Sequence, residues 1–476
     1  MVRTRALSLA LTVASALTTG CSSSGDFGIS PGGSQDIELA RSIIEDGRVP
    51  RADQFTAEGL FSQHDIATPS STEPCAELLC PRASIARIEP VDGSGEQVLV
   101  QLALATNVAQ FERADVNLAA VVDISGSMSG ERIDLVKLGL HAAVDQLDGD
   151  DRMSLVSFGG QARVEAPSTV MDASGRAALH AKITALEIEG STNIEEGLVS
   201  GYASLDGTRD GLGGREDRVM LFTDAQPNVG ATDPGSFVGI VEAGADEGVG
   251  VSVFGVGADF GAELARRVSE VRGGNSYYFG DEATVSQVFG AEFEYLVTPV
   301  AYDLHFTVRP SDGFGFLAAY GTPDANASDE VDVSIATAFL SARGGAMAVV
   351  LDGDLDALLP GAPVVSFALE YQTADGQAQA GSIDATWLGG GDLPIGTAGI
   401  ADDAGSAKLA VLLDEFLALE AGAAFCEGSL TQTEALARID EAATRLAAMS
   451  QLLGDAALND EASLMHKLAA NLDDGC

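Results

Sequence analysis

The stretch Val121-Val-Asp-Ile-Ser-Gly-Ser-Met128 decides the fold, because it ends a buried strand in three oxygen side chains on a tight turn. Residues 117–122 are an apolar run with the length of a buried strand, and Asp123, Ser125 and Ser127 follow at alternating positions. The residues after this turn are apolar at helical spacing. In an open α/β sheet, ligands bind beyond the carboxyl ends of the strands. The stretch therefore predicts a ligand site at a strand–helix junction.

Two further segments offer oxygen atoms to the same site. Gly190-Ser-Thr-Asn193 precedes a helix pattern, so Thr192 can present a hydroxyl from a second loop. Residues 218–224 form another strand pattern, which ends in Asp224. Hard cations prefer oxygen ligands, and Mg²⁺ takes six of them at about 2.1 Å. The first loop offers only one carboxylate and two hydroxyls, so a bound dication would still accept an external carboxylate.

The set Asp123, Ser125, Ser127, Thr192 and Asp224 resembles the metal-ion-dependent adhesion site of von Willebrand factor type A (VWA) domains, with all five positions in order. The resemblance covers about residues 117–299. It implies that the three hydroxyls bind the metal directly and that the two carboxylates bind it directly or through water. The implied cofactor is Mg²⁺, with Mn²⁺ and Ca²⁺ as alternatives, and the implied partner is a protein ligand that presents an Asp or Glu carboxylate. The residues alone leave open a second interpretation, in which they cap helices and bind no metal.

The composition argues against nucleic acid as a partner. The chain has 71 acidic and 26 basic residues and a formal net charge of −45, which repels phosphate backbones. Such a surface attracts divalent cations and basic surfaces, but an adaptation for solubility or salt tolerance, without a specific partner, is the preferred explanation of the acidity. With 476 residues and 46% hydrophobic content, the chain is long and apolar enough for two or three domains.

The N-terminal residues predict export. Two arginines precede an apolar run over residues 6–17, which is too short to span a membrane, so residues 1–20 are predicted to be a signal peptide. Leu17-Thr-Thr-Gly-Cys21 resembles a bacterial lipoprotein signal, which implies that Cys21 is lipidated. The resemblance implies a lipid-anchored protein of the bacterial cell envelope, at the outer membrane because Ser22 follows the cysteine. The motif favours leucine where Thr18 stands, so secretion after cleavage near Gly20 is the alternative.

The cysteine count agrees with lipidation. Exported chains usually pair their cysteines, and lipidation of Cys21 leaves four of the five for disulfides. Cys75 and Cys80 lie in a proline-flanked loop and predict a short staple, although half of a metal site is an alternative. Cys426 and Cys476 bracket a C-terminal pair of helix patterns and predict a second bond, whereas rival pairings would join the two regions.

The order of elements predicts an α/β fold with a mostly parallel sheet, a flanking β-sandwich and a C-terminal helical segment. The resemblance implies that the domain around the parallel sheet is a Rossmann-like VWA domain. Strands before and after an insert often share a sheet, so residues 84–112 and 300–390 are hypothesised to form one sandwich with the VWA domain inserted. The predicted boundaries are 1–20 for the signal peptide, 21–83 for a tether and a poorly defined N-terminal region, 84–112 for the first sandwich strands, 113–299 for the VWA domain, 300–400 for the remaining sandwich and 401–476 for the helical segment.

Alternating patterns locate the individual elements. In the VWA domain, strands are predicted over residues 117–124, 152–158, 218–224, 250–256 and 275–279, with an edge strand over 162–167 and a last helix over about 282–296. In the sandwich, strands are predicted over residues 84–89, 97–106, 301–308, 330–335, 345–351, 364–372 and 383–387. C-terminal helices are predicted over residues 407–421, 431–453 and 461–472.

Motifs for enzymatic chemistry are missing from the sequence. It has no Gly-x-x-x-x-Gly-Lys-[Ser/Thr], no His-Glu-x-x-His, and Met128 stands where a Gly-x-Ser-x-Gly elbow needs its serine. We therefore predict a non-enzymatic, surface-tethered protein of adhesion or scaffold type. The alternative is a metal-dependent enzyme, or an accessory subunit of an exported enzyme complex, with the metal as Lewis acid.

Overall fold

The computed structural model describes residues 28–31, 34–71, 74–108, 111, 113–209, 214–225, 228–230, 234–257, 260, 262–322, 331–341, 343, 345–353, 355–390, 393–394, 399–474 and 476. The predicted signal peptide and the predicted lipidation site Cys21 lie outside these residues. Among the residues described, no helix combines the length and the apolar character needed to cross a membrane.

The described strands form three sheets. They are β1 (Gly28–Pro31), β2 (Ser34–Gln35), β3 (Leu79–Ile88), β4 (Gln97–Thr106), β5 (Val116–Asp123), β6 (Arg152–Phe158), β7 (Ala162–Val170), β8 (Glu216–Thr223), β9 (Gly250–Val256), β10 (Gly274–Phe279), β11 (Pro299–Pro310), β12 (Phe314–Tyr320), β13 (Val331–Ser341), β14 (Met347–Gly353), β15 (Pro363–Thr373), β16 (Ala378–Thr386), β17 (Leu393–Pro394) and β18 (Gly399–Ala401).

The helices lie between the strands of the central sheet and at the two ends of the chain. They are α1 (Ile37–Glu45), α2 (Ala57–Ser62), α3 (Glu131–Gln146), α4 (Ala173–Thr184), α5 (Ile194–Leu205), α6 (Pro234–Asp246), α7 (Ala262–Ser269), α8 (Glu282–Ser286), α9 (Phe293–Val297), α10 (Ala404–Cys426), α11 (Gln432–Leu453) and α12 (Ala456–Asp474).

The central sheet has the order β2-β10-β9-β8-β5-β6-β7. Only the edge pair β6–β7 is antiparallel among its described pairs. Every residue of β5, β9 and β10 is buried, because helices cover both faces of the sheet and form a separate apolar core on each side. The predicted α/β fold with a mostly parallel sheet is confirmed.

The other two sheets pack face to face as a sandwich. One has the order β1-β13-β11-β15-β16 and the other β12-β14-β4-β3-β18-β17, with a shared core between them. Strand β4 pairs with β14 in antiparallel register, so strands from both sides of the central domain share one sheet, as hypothesised. Strand β12 was not predicted, since its residues are half-buried without the alternation that marks a strand.

The N-terminal region departs from its prediction as a tether and poorly defined segment. Strand β1 pairs with β13 of the sandwich, and β2 pairs with β10 of the central sheet. Helix α1 is buried on one broad face, where Leu39 and Ile43 join the core of the central domain and Ile44 joins the core of the C-terminal helices. A nine-residue helix carries only two turns of apolar pattern, which is too few to stand out in the sequence.

The predicted last helix, over about residues 282–296, has the expected bounds but is not one regular α-helix. It is divided into α8, a π-helical turn over Gln287–Ala291, and α9. The wider turn lets Val288, Phe289 and Phe293 all enter the core beneath the sheet. The Phe289 ring packs so closely on α3 that a Cβ at Gly139 would lie 2.9 Å from the ring. Packing against the neighbouring helix therefore favours the π turn over regular helix.

The C-terminal helices agree with the capping and cysteine predictions. The Thr431 and Glu434 side chains each accept from the other residue's backbone N–H, which starts α11. Helices α11 and α12 form a hairpin, and its ends are joined by a bond between Cys426 and Cys476, whose Cα atoms are 5.4 Å apart. The second predicted pair, Cys75 and Cys80, is also bonded.

Candidate metal site

The site lies at the carboxyl edge of the central sheet, where two neighbouring parallel strands end in acids. Asp123 is the last residue of β5, and Asp224 follows β8 directly. Both carboxylates are fully buried. After Asp123 the chain makes a short 3-10 turn over Gly126–Met128 before α3 begins, and this turn presents the two serines.

Hydrogen bonds hold the first loop in shape. The Ser125 backbone N–H donates to Asp123 Oδ1 over 2.9 Å, and the Thr223 hydroxyl donates to Asp123 Oδ2 over 2.7 Å. The hydroxyl oxygens of Ser125 and Ser127 lie 3.1 Å apart, and the Ser127 side chain is exposed. Asp123 thus orients the loop through Oδ1 and is itself held to the end of β8 through Oδ2, and the loop presents two hydroxyls as a pair.

The second loop, which contains Thr192, and the third loop, which follows Asp224, are hydrogen-bonded to each other beside the first loop. The Thr192 backbone N–H donates to Asn228 Oδ1 over 3.0 Å, and the Thr192 carbonyl accepts from the backbone N–H groups of Asn228 and Val229, each over 3.1 Å. The first loop contacts the second closely, since a Cβ at Gly126 would lie 3.7 Å from the carbonyl oxygen of Gly190. The structure therefore brings the five predicted residues onto three interlocked loops at one edge of the sheet.

Arg132, in the first turn of α3, is a neighbour of the site that the sequence analysis missed. Its Nη1 donates to Asp224 Oδ2 over 3.0 Å and to the Ser127 carbonyl over 3.3 Å. The guanidinium fits because Gly257, at φ +88°, has no side chain: a Cβ there would lie 2.4 Å from Arg132 Nε. A cation in a helix's first turn opposes the helix dipole, and this is the signal that could have drawn attention to Arg132.

The electrostatics of the site favour a cation. Burial raises the pKa of Asp123 to about 6, and the nearby Asp224 charge acts in the same direction, while hydrogen bonds from Ser125 and Thr223 oppose the shift. Asp224 Oδ1 is buried and has no hydrogen-bond partner among the described residues. A positive ion would stabilise both carboxylates and satisfy that oxygen.

The donor set fits a hard divalent cation. It comprises hydroxyl and carboxylate oxygens only, which Mg²⁺ prefers over the nitrogen and sulfur ligands that suit zinc. Two neighbouring ligands of an octahedral ion at about 2.1 Å are about 3.0 Å apart. The Ser125 and Ser127 hydroxyls, which hydrogen-bond to each other over 3.1 Å, already lie close to this spacing.

The sheet, its covering helices and the loops after β5 and β8 define a domain of the VWA class. Residues 117–291 match the family model for the von Willebrand factor type A domain, so the predicted VWA domain is confirmed. VWA domains commonly bind a divalent metal.

Some known proteins are similar to this chain over more residues than the VWA domain comprises. The chain is 30% identical to the uncharacterized protein YfbK of Escherichia coli over 271 residues, which cover 56% of this chain and 46% of YfbK. It is 29% identical to the human inter-alpha-trypsin inhibitor heavy chain H4 over 168 residues, which cover 33% of this chain and 17% of that protein. The chain thus spans less than half the length of either relative. A solved VWA protein from Catenulispora acidiphila covers 81% of this chain and 90% of its own, at 15% identity and a TM-score of 0.46.

Proposed function

We propose that this protein is a surface-tethered binding protein of the bacterial cell envelope, of adhesion or scaffold type. Its VWA domain would hold a divalent cation, Mg²⁺ in the first place, and that cation would take a carboxylate of a protein partner as its last ligand. The proposal rests on the pair of Ser125 and Ser127 hydroxyls, 3.1 Å apart, and on a buried Asp224 oxygen without a hydrogen-bond partner in the described chain. The Arg132 guanidinium bonds both Asp224 and the Ser127 carbonyl, so the two loops lie close together.

The charge balance supports capture of an acidic partner. Asp123 and Asp224 together neutralise a dication, and the Arg132 guanidinium, bonded to Asp224, leaves the site with a net positive charge. The site opens to solvent at Ser127, whose side chain is exposed. A carboxylate arriving from outside would therefore meet the ion and the guanidinium together, and charge-assisted contacts of this kind are strong.

The position of the described N-terminus supports the tether. Gly28, the first residue of β1, lies seven positions after Cys21 and belongs to a strand of the sandwich. A chain of seven residues spans at most about 25 Å. A lipid on Cys21 would therefore hold the sandwich close to the membrane surface and would leave the VWA domain, inserted between β4 and β11, for the partner.

Isothermal titration with Mg²⁺ tests the metal. Asp123→Ala removes the carboxylate that orients the loop, and Ser127→Ala removes a proposed ligand at an exposed position where the fold is not at risk. We expect both variants to lose the binding heat that the wild type shows. Asp134→Ala, an exposed acid on α3, is the matched control and should bind like the wild type. Equal heats in the wild type and both site variants would refute the site.

A pull-down from envelope extracts tests the partner. Wild-type protein should retain a protein in Mg²⁺ and release it when a chelator is added, and Ser127→Ala should retain none. If a partner binds equally to Ser127→Ala and in the presence of chelator, recognition does not pass through the ion. That result would leave the metal site in place but would overturn the proposed mode of capture.

A further inference from the structure

A second cluster of metal-ligand side chains lies far from the VWA site. His64 follows α2, Glu415 lies in the middle of α10, and Glu461 lies in α12. One ligand atom from each residue lies within 4.8 Å of the others, and the three residues are 2%, 0% and 5% exposed. Residues separated by about 350 positions in the chain thus converge on one buried point.

The cluster leaves polar atoms without partners. Both ring nitrogens of His64 and both carboxylate oxygens of Glu415 are buried and have no hydrogen-bond partner among the described residues. His64 Nε2 lies 3.2 Å from Glu461 Oε1, but the two groups are not aligned for a hydrogen bond. Because buried polar groups are nearly always satisfied, four such atoms at one point indicate either a proton that Glu415 shares with Glu461 or a bound ion.

The surroundings of the cluster are charged. Arg41 pairs with Glu461 and with Glu38. Burial opposes the charge on Glu461, but the Arg41 guanidinium and the adjacent His64 outweigh it and hold the pKa of Glu461 below its usual range. Burial and the nearby Glu461 charge raise the pKa of Glu415. Two carboxylates side by side, away from water, need either a proton or a cation between them.

The cluster is accessible from solvent on one side. His64, Glu461 and Arg41 line a cleft of about 490 Å³, together with Arg343 and Lys467. Glu415 lies beneath them and is fully buried. An ion can therefore enter from the cleft, and a water molecule from the cleft can complete its coordination.

We propose that His64, Glu415 and Glu461 bind a divalent transition-metal ion of the zinc class. One imidazole nitrogen and two carboxylate oxygens supply three ligands and balance the charge of a dication, and cleft water supplies the fourth. Ligands at about 2.1 Å from one ion lie at most about 4.2 Å apart, so the side chains need to close only slightly around it. Because one of its ligands is an imidazole nitrogen, this site favours ions of the zinc class, whereas the all-oxygen VWA site suits Mg²⁺.

The ion would join three parts of the chain. His64 belongs to the N-terminal segment, which carries α1 and α2, and the two glutamates belong to the C-terminal helices. Metal binding at residues from distant segments stabilises the folded state over the unfolded one, because the unfolded chain does not hold the ligands together. The site would thus fasten the N-terminal segment onto α10 and α12.

Glu415→Gln is the decisive variant. It keeps the size of the side chain and resembles a protonated glutamic acid, so it should be tolerated if the two carboxyl groups merely share a proton. As a metal ligand, however, the glutamine amide is much weaker than a carboxylate. Glu420→Gln, an exposed position on the same helix, is the matched control.

The full-length chain is incubated with Zn²⁺ in excess Mg²⁺, freed of unbound metal by gel filtration, and analysed for zinc by plasma mass spectrometry. We expect the wild type, Glu420→Gln and the VWA-site variant Asp123→Ala to retain one equivalent of zinc more than Glu415→Gln. Zinc should also raise the thermal midpoint of the wild type and leave that of Glu415→Gln unchanged. If Asp123→Ala also retains the extra equivalent of zinc, that zinc is not bound at the VWA site.

The same experiment can overturn the proposal. If the wild type holds no more zinc than Glu415→Gln and shows no shift in its thermal midpoint, the carboxyl groups share a proton and the proposal is overturned. If Glu415→Gln does not fold, the proposal is tested on the wild type alone, by titration with Co²⁺. Co²⁺ bound by a histidine and two carboxylates gives a visible absorption band, and a titration without such a band would also overturn the site.

Discussion

Replacing Arg132 by glutamine should tighten Mg²⁺ binding at the VWA site. The guanidinium donates to Asp224 Oδ2 over 3.0 Å, and its side chain is 25% exposed. Without metal, Arg132 neutralises the carboxylate on which the cation depends. With metal, it places a positive charge beside the dication. Both effects oppose binding, so the variant that lacks this charge should bind more tightly.

The distance sets the size of the effect. A cation bound to the other oxygen of Asp224 at about 2.1 Å would lie about 5–6 Å from the guanidinium. The repulsion between charges of +1 and +2 at that separation is about 1.5 kcal/mol in water and about 6 kcal/mol at an effective dielectric constant of about 20. Solvent screening of the partly exposed side chain keeps the effect near the lower limit. About 1.5–3 kcal/mol corresponds to an affinity about ten to a hundred times higher.

The assay is titration of metal-free protein with Mg²⁺ by calorimetry, with circular dichroism to confirm that each variant is folded. Arg209→Gln is the matched control, because Arg209 is also 25% exposed and also pairs with carboxylates. It follows α5, whose 12 residues place about 18 Å between Arg209 and the Thr192 loop. The control should bind like the wild type. Unchanged or weaker binding by folded Arg132→Gln would refute the electrostatic reasoning.

Three further predictions concern stability and location. Cys426→Ser opens a loop closed over 50 residues, so the free energy of unfolding in urea should fall by about 4 kcal/mol, and an unchanged midpoint would exclude a stabilising bond. Burial outweighs the Arg445 charge and raises the pKa of Asp414 to about 6, so the native state holds this proton more tightly than the unfolded chain. This group alone should therefore lower the free energy of unfolding by about 3 kcal/mol as the pH rises from about 4 to 6. Asp414→Asn should remove that part of the pH dependence, whereas the exposed control Asp440→Asn should retain it in denaturation curves at both pH values. Cys21→Ser should leave the membrane fraction or fail to be processed, and a membrane-bound, normally cleaved variant would contradict lipidation.

Local sequence patterns were sufficient to predict the elements that do not depend on contacts with distant parts of the chain. Strands β4 and β9 have the bounds predicted from the sequence, since each is a mostly apolar run whose burial pattern is complete or nearly so. The start of α11 was also predictable, because a capping box satisfies the helix end with residues only three positions apart. The loop after β5 belongs to the same group, since the position of Asp123 and the serines follows directly from where the strand ends.

Tertiary structure alone decided the features that depend on distant contacts. The role of Arg132 required the start of α3 to lie beside the loop after β8 and required a glycine at position 257 to make room for the guanidinium. The π turn over Gln287–Ala291 depends on how Phe289 packs against α3, which no local pattern records. The convergence of His64 with two glutamates from the far end of the chain is the extreme case. A sequence shows which side chains can bind a metal, but only long-range packing decides which of them share one buried point.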